Sequence, residues 1–283
     1  MTEAQKPLAS KLVFLGYCNV DENFYPDGRL ERLPGGAAYF GALAASKFFQ
    51  PVRLVTRLGN DFDESFFKGR VDPDGLIRMS DVGAGRSVHH YLSDTDPTAR
   101  TVTLHSGADQ FLEPTDLPDE WWDDLAFLHV ATMPPTRQLK FIEAFSERNR
   151  AGGSTRSITS DTELSFLSNA QHLEALKHWI RMIDLVFLNR HEAAFAQELL
   201  PVIPHVVVKR DADGAELLEY GKVVASATAA KVQVVDATGA GDVLAGTFLA
   251  SLATGLEKGA ALQRAVDCAT RKVSVSGLDA LLD

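Results

Sequence analysis

Two carboxylates bracket a run of small residues at Asp236-Ala237-Thr238-Gly239-Ala240-Gly241-Asp242, and an apolar stretch follows at once. Where a helix opens on Gly239, Ala240 and Gly241, no side chain larger than a methyl covers the backbone. Its N–H groups can then be approached closely by an anion. The helix dipole adds positive potential at the same end. Asp242 falls in the first turn, beside that anion site. A carboxylate next to a phosphate is costly unless it has a task, and the task on offer is accepting a proton from an attacking hydroxyl. A plainer reading exists, in which Asp236 or Thr238 caps the helix and Asp242 answers its dipole. Two acids around T-G-A-G favour the chemical reading.

The elements that must position these residues follow from hydrophobic pattern. Lys11–Tyr17, Val52–Arg57, Leu125–Ala131, Ser154–Thr159, Leu185–Leu188 and His205–Lys209 read as strands. Between them, Ala37–Phe49, Thr136–Arg150, Leu164–Met182 and His191–Leu199 read as helical, and Phe62–Lys68 as a short helix. Thr238–Thr254 and Glu257–Val275 supply two more helices, after a hairpin over Ala215–Ser226. Alternating strands and helices predict a three-layer α/β fold, an open, mostly parallel sheet with helices on both faces. Ser87–Ser93 and Arg100–Ser106 alternate around Asp94–Ala99 and predict an early hairpin that interrupts this order. Cys18–Leu33 is polar and turn-rich. These two segments, about 18–33 and 87–106, are expected to form a small β lid on a single domain spanning 1–283. In such sheets ligands sit beyond the carboxyl ends of the strands.

The chain has 283 residues, 45% hydrophobic and 23% charged, so a sizeable core can be buried and wholesale disorder is excluded. Lys and Arg number 28 against 38 Asp and Glu, a formal net charge of −10. No basic footprint suits nucleic acid or an anionic membrane surface. Two cysteines, Cys18 and Cys268, exclude a disulfide scaffold and a four-cysteine metal site. Met1–Ser10 lacks an apolar signal core and no apolar run suits a membrane span, so a cytoplasmic location is expected.

The Asp236–Asp242 segment with its apolar helix resembles the C-terminal signature of the ribokinase-like, or PfkB, carbohydrate kinases. Further resemblances occur in the right order: Gly35-Gly36 before an Ala-rich helix, Gly59-Asn60-Asp61, Arg100-Thr101 through Gly107-Ala108, and Asn189-x-x-Glu192. They run from about Leu15 to Gly277. The resemblance implies an ATP- and Mg²⁺-dependent kinase acting on an alcohol. Asp242 would be the base, and the backbone of Gly239, Ala240 and Gly241 the anion hole. Asn189 and Glu192 would support Mg²⁺ and the nucleotide, mostly through water; a helix cap with a capping-box glutamate is an equal reading of the same pair. Thr238 would sit at the nucleotide phosphates. Asp21 would take hydrogen bonds from substrate hydroxyls, with Gly35 and Gly36 letting backbone approach the sugar. A monovalent cation, needed by some relatives, is a further possible cofactor.

Four departures from the family pattern stand out. Ala38-Tyr39-Phe40 replaces a stretch that often carries a substrate-binding Asn, which implies a bulkier, more apolar wall at Tyr39 and Phe40. Lys209-Arg210-Asp211 replaces T-L-G and brings two cations that either meet phosphate or end a strand in solvent. Ala237 stands for a frequent Thr. The stretch around Thr159-Ser160-Asp161 matches poorly. The substrate is expected to be a small sugar or cyclic polyol, inositol-like compounds included, with a nucleoside as the alternative. The altered Lys209–Asp211 strand end also admits a non-catalytic ligand-binding relative. A dinucleotide-dependent oxidoreductase is disfavoured, since no G-x-G-x-x-G follows the first strand. Of His89-His90, at most one can face a ligand. Trp121-Trp122 reads as packing. Monomer and homodimer are both compatible with the sequence.

Overall fold

The computed structural model describes residues 11–93, 99–153 and 156–282. Met1–Ser10 and most of the Asp94–Ala99 turn lie outside the described residues. The central sheet carries β1 (Lys11–Leu15), β4 (Val52–Leu58), β9 (Leu125–Val130), β10 (Ser157–Asp161), β11 (Leu185–Asn189) and β12 (His205–Lys209), all parallel. Two antiparallel strands, β13 (Ala215–Glu219) and β14 (Lys222–Ala227), extend one edge. The short β5 (Val71–Asp72) and β6 (Leu76–Arg78) pair with β4 at the other.

The apolar runs of these strands are continuous because both faces are covered. Successive side chains alternate between two cores. Leu12, Phe14, Phe187 and Val207 join one, against α1 (Ala37–Ser46), α6 (Ala240–Ala253) and α7 (Lys258–Val273). Val13, Leu15, Val186, Leu188, Val206 and Val208 join the other, with Phe141 and Ile142 of α3 (Pro135–Gly152) and Leu176 and Trp179 of α4 (Ala170–Trp179). Each such fully buried side chain stabilises the fold by about 1.5–3 kcal/mol. Trp121 and Trp122, in α2 (Asp119–Trp122), belong to that second core, as read. Cys18 is buried and Cys268 half-buried. No helix among the described residues is long and apolar enough to cross a membrane.

A second sheet stands apart. β2 (Asn19–Phe24), β3 (Leu30–Gly35), β7 (Gly85–Tyr91) and β8 (Arg100–His105) align in the order β3-β2-β7-β8. The Ser87–Ser106 hairpin is its β7–β8 half. The Cys18–Leu33 segment is more regular than its composition suggests. It forms two full strands whose polar residues suit a sheet open to solvent on one side.

Several helix boundaries also moved. Phe62–Lys68 contracts to a single 3₁₀ turn at Ser65–Phe67. Leu164–Met182 divides at Asn169, whose side chain accepts from the Gln171 and His172 N–H groups and so starts α4 afresh. The helix after β11 is only α5 (Arg190–Phe195). The small terminal helix α8 (Asp279–Leu282) packs on α7.

Candidate active site

The carboxyl ends of the parallel strands open onto a cleft of about 620 Å³ that the second sheet covers. It lies where strand order reverses, with β4 on one side of β1 and β9 on the other. Three neighbouring strands deliver their last residues to it: Asp161 from β10, Asn189 from β11 and Lys209 from β12. Opposite them α6 begins.

Gly239 caps α6 with φ of 73°, and a Cβ there would lie 2.5 Å from the Phe40 ring. Both the left-handed turn and the close approach demand glycine. The N–H of Ala240 is turned back to the Ala237 carbonyl at 3.3 Å. Ala240 is also absent from the cleft wall, whereas Gly239 and Gly241 on either side line it. That leaves Gly241 and Asp242 as first-turn residues facing the cleft, among the orphan donors every helix start presents. Lys209 Nζ lies 3.1 Å from where a Cβ of Gly241 would sit, so a cation stands over this turn.

Lys209 is held by both oxygens of Asp161, at 2.9 and 3.0 Å. Burial opposes its charge, but Asp161, Glu192 and Asp242 outweigh that and hold the ammonium above its ordinary value. Arg210 turns away to Glu216, so only one of the two cations enters the site. Burial pushes the Asp242 carboxyl up to about 7; nearby Asp161 adds to the rise and Lys209 opposes it.

Asn189 and Glu192 form a closed capping box. The Asn189 side chain accepts from the His191 and Glu192 N–H groups, and the Glu192 carboxylate accepts from the Asn189 backbone and side chain, each at 2.7 Å. Both residues also line the cleft, so the structural and the binding reading coexist. Burial raises Glu192 to about 7, against the pull of Lys209.

The second sheet presents one face to the cleft. Asn19 and Asp21 on β2 lie beside Ser87 and His89 on β7, with Asp21 in register with Ser87. Asn19 Nδ2 donates to Ser87 Oγ at 2.7 Å, and Asn19 Oδ1 has no partner. Asp21 is 5% exposed; burial raises its carboxyl to about 7, although Ser87 and Arg100 counteract it. His89 is also 5% exposed, and neither ring nitrogen has a partner. Burial and then Arg100 lower it to about 4, so the ring is neutral. His90 points away and stacks on Phe24 at 4.8 Å. On β8, Arg100 donates to Thr238 Oγ1 at 2.6 Å and to the Tyr91 hydroxyl at 2.9 Å. Thr238, expected at the nucleotide phosphates, lines the cleft and also joins the small sheet to the α6 loop.

Two substrate-site expectations are corrected. Tyr39 is fully buried among Phe62 and Phe67, with ring centroids 5.9 and 5.2 Å away, and does not reach the cleft. One residue advances about 100° around a helix, and it is Phe40 that faces the cleft. Gly36 lines the cleft; Gly35 does not. A Cβ on Gly35 would overlap the Asp21 carboxylate, so this glycine makes room for Asp21. The sequence reading placed Phe40 in the same wall as Tyr39 but did not single out Asn19, Ser87 or Asp109, all of which line the cleft. It treated Asp161 only as part of a mismatch; its place as the last residue of a strand, where ligands gather, was the available signal.

The pfkB family carbohydrate kinase model matches residues 9–283. A cytidine kinase of Thermococcus kodakarensis is 27% identical over 261 residues, covering 86% of this chain and 89% of that protein. A fructokinase of Escherichia coli is 26% identical over 270 residues, covering 88% and 85%. The structure of a Cryptococcus neoformans ribokinase in complex with ADP superposes with a TM-score of 0.78 at 21% identity, covering 96% of each chain. A strand-end cleft, a glycine-opened helix with its aspartate, and a family match over nearly the whole length converge: this chain belongs to the pfkB family of carbohydrate kinases.

Proposed function

We propose that the protein transfers the γ-phosphoryl group of ATP to a hydroxyl of a small polyhydroxylated ring, a sugar or cyclic polyol. The observation that carries this reading is that Asp21 and Asp242, two buried-side carboxyls with values near 7, line one cleft from opposite walls. The Asp21 carboxylate accepts hydrogen bonds from adjacent ring hydroxyls, while Asn19 Oδ1 and the His89 ring offer unpartnered polar atoms beside it. Asp242 takes the proton of the attacking hydroxyl. The new oxygen–phosphorus bond forms as the bond from the γ-phosphorus to the ADP oxygen breaks. The Gly241 N–H, the α6 dipole and the Lys209 ammonium stabilise the charge on the transferring group.

The donor set around Asn189 and Glu192 suits Mg²⁺ held through water, because the capping box already occupies the amide and both carboxylate oxygens. The ion would neutralise phosphate charge. The small sheet, segments 18–33 and 87–106, acts as a lid that excludes water and so favours transfer over hydrolysis.

A nucleoside is the second reading. Val102, Leu104, Met133 and Phe166 line the same cleft as the polar row, which gives a base an apolar surface beside the site for its ribose. The similarity to a cytidine kinase favours it too.

The test is ADP formation from Mg-ATP across sugars, inositols, polyols and nucleosides, with Asp242→Asn in parallel. Turnover on one class, abolished in the variant, is the expected result. ATP binding without turnover on any class would overturn the kinase reading.

A further inference from the structure

Among the described residues, Lys272 is the lysine with no solvent exposure. It sits near the end of α7, behind the loop that opens α6. Its Nζ lies 2.9 Å from Asp236 Oδ2 and 3.4 Å from the Asp236 carbonyl oxygen. The ammonium also stands 6.0 Å from the centre of the Phe40 ring, the ring that packs on Gly239.

Asp236 is the knot of this loop. Its Oδ1 accepts the Thr238 N–H at 2.8 Å, which sets the turn into Gly239. Its Oδ2 also accepts the Gly277 N–H at 3.3 Å. The N–H groups of Val235 and Asp236 both reach the Val273 carbonyl, one residue after Lys272. Burial alone would raise the Asp236 carboxyl, but Lys272 and the Thr238 bonds outweigh it, and the group is held below its ordinary value. Asp236 is thus a carboxylate in a largely enclosed site, and Lys272 is its counter-charge.

A monovalent cation beside this loop would need oxygen ligands. The Lys272 ammonium already lies on two loop oxygens that such an ion would use, Asp236 Oδ2 and the Asp236 carbonyl. The site therefore does not fit an added ion. We propose that Lys272 is a built-in monovalent cation: it neutralises Asp236, fixes the loop ahead of Gly239, and makes activity independent of added potassium or ammonium. Lys272 acts through Asp236, so it is a positioning residue. This rests on the anion-hole reading of the α6 loop.

The test exchanges salts on the intact protein. Wild-type kcat and thermal midpoint are expected to stay the same when potassium chloride replaces tetramethylammonium chloride at equal ionic strength. Lys272→Ala opens the ammonium's space and leaves Asp236 unpaired. Its kcat is expected to fall on the order of 100-fold, the typical cost of a reacting geometry misplaced by about 1 Å. Potassium or ammonium, but not tetramethylammonium, should restore part of that loss saturably and raise the variant's midpoint. Lys272→Arg, which keeps a cation, should retain more activity than Lys272→Ala.

A wild-type protein whose activity or midpoint rises with potassium specifically would overturn the proposal. So would wild-type kcat in Lys272→Ala. Should that variant not fold in any salt, the wild-type exchange and Lys272→Arg still decide. Should no substrate be turned over by any version, the midpoints test Lys272 alone, and the kinase reading is what has failed.

Discussion

On the floor of the cleft, Asp161, Asn189 and Lys209 end three adjacent parallel strands, and the α6 loop adds an unbroken run from Asp236 to Asp242. On the roof, Asn19, Asp21, Ser87, His89 and Arg100 come from three strands of a small sheet whose partners are far apart in the chain. The floor is tied by ion pairs, Lys209 with Asp161 and Lys272 with Asp236. The roof holds polar atoms without partners, at Asn19 and His89. A floor tied by two ion pairs suits, on the proposed reading, one fixed task, the handling of phosphate. A roof with open valences is arranged to be completed by a ligand, and a change of substrate is most easily made there.

That contrast is easiest to break with Asp242→Asn. The variant keeps the fold and nucleotide binding and should lose about 10²–10⁴ in kcat, the usual worth of a positioned base. Single-turnover kinetics check it. Asp21→Asn removes a roof contact instead. It should lower kcat/KM by roughly 10- to 100-fold, on the order of 1.5–3 kcal/mol for a hydrogen bond to a charged group. The loss should lie mainly in KM if Asp21 binds ground state and transition state alike. An equal loss in kcat alone would place Asp21 with the floor.

The pH profile sharpens the same division. Burial pushes both carboxyls up to about 7, and the proposed mechanism needs both ionised. Below that value kcat/KM should fall with a slope approaching two. Asp21→Asn should reduce the slope to about one, a single remaining group.

Stability runs the opposite way. The folded-state values lie above the ordinary 3.8. The protonated carboxyls therefore contribute stability that is fully present below 3.8 and is lost as pH rises through about 7. Thermal midpoints from pH 5 to 8 in wild type and Asp242→Asn measure it, the variant showing the flatter decline. The smallest effect is expected at Tyr39→Phe. The hydroxyl is buried without a partner, so its loss should change stability by less than about 1 kcal/mol and leave kinetics alone. A large KM change would return Tyr39 to the substrate wall.

Much of the floor was legible in the sequence because its chemistry is local. The Asp236–Asp242 run places a cap, a left-handed glycine and a carboxylate within two turns, and Asn189-x-x-Glu192 closes on itself. The pairing of Lys209 with Asp161 was not legible, since it joins side chains 48 positions apart. Only an odd strand end hinted at it. The roof was harder. Its strands are polar because one face meets solvent, which gave Cys18–Leu33 the look of a loop. Which of two neighbouring residues faces a ligand depends on helix rotation, and that decided Phe40 over Tyr39. Asp21 was singled out because the family resemblance expects an acid just after the first strand, and it lines the cleft. Its neighbours Ser87 and His89 needed the β2–β7 register, which no short motif encodes.

The packing of Gly35 against Asp21 has a consequence for how this site can change over generations. A side chain at position 35 would occupy the space of the carboxylate. Gly35→Ala is therefore damaging while Asp21 is present, and becomes tolerable only after Asp21 has been replaced by something smaller. The reverse order is closed. A lineage leaving this substrate chemistry must give up the acid first and can fill the gap afterwards, and once the gap is filled the acid cannot return in a single step. Two positions that look independent in the sequence thus constrain the order in which they can change: the acid leaves before position 35 is filled, and position 35 is emptied before the acid returns.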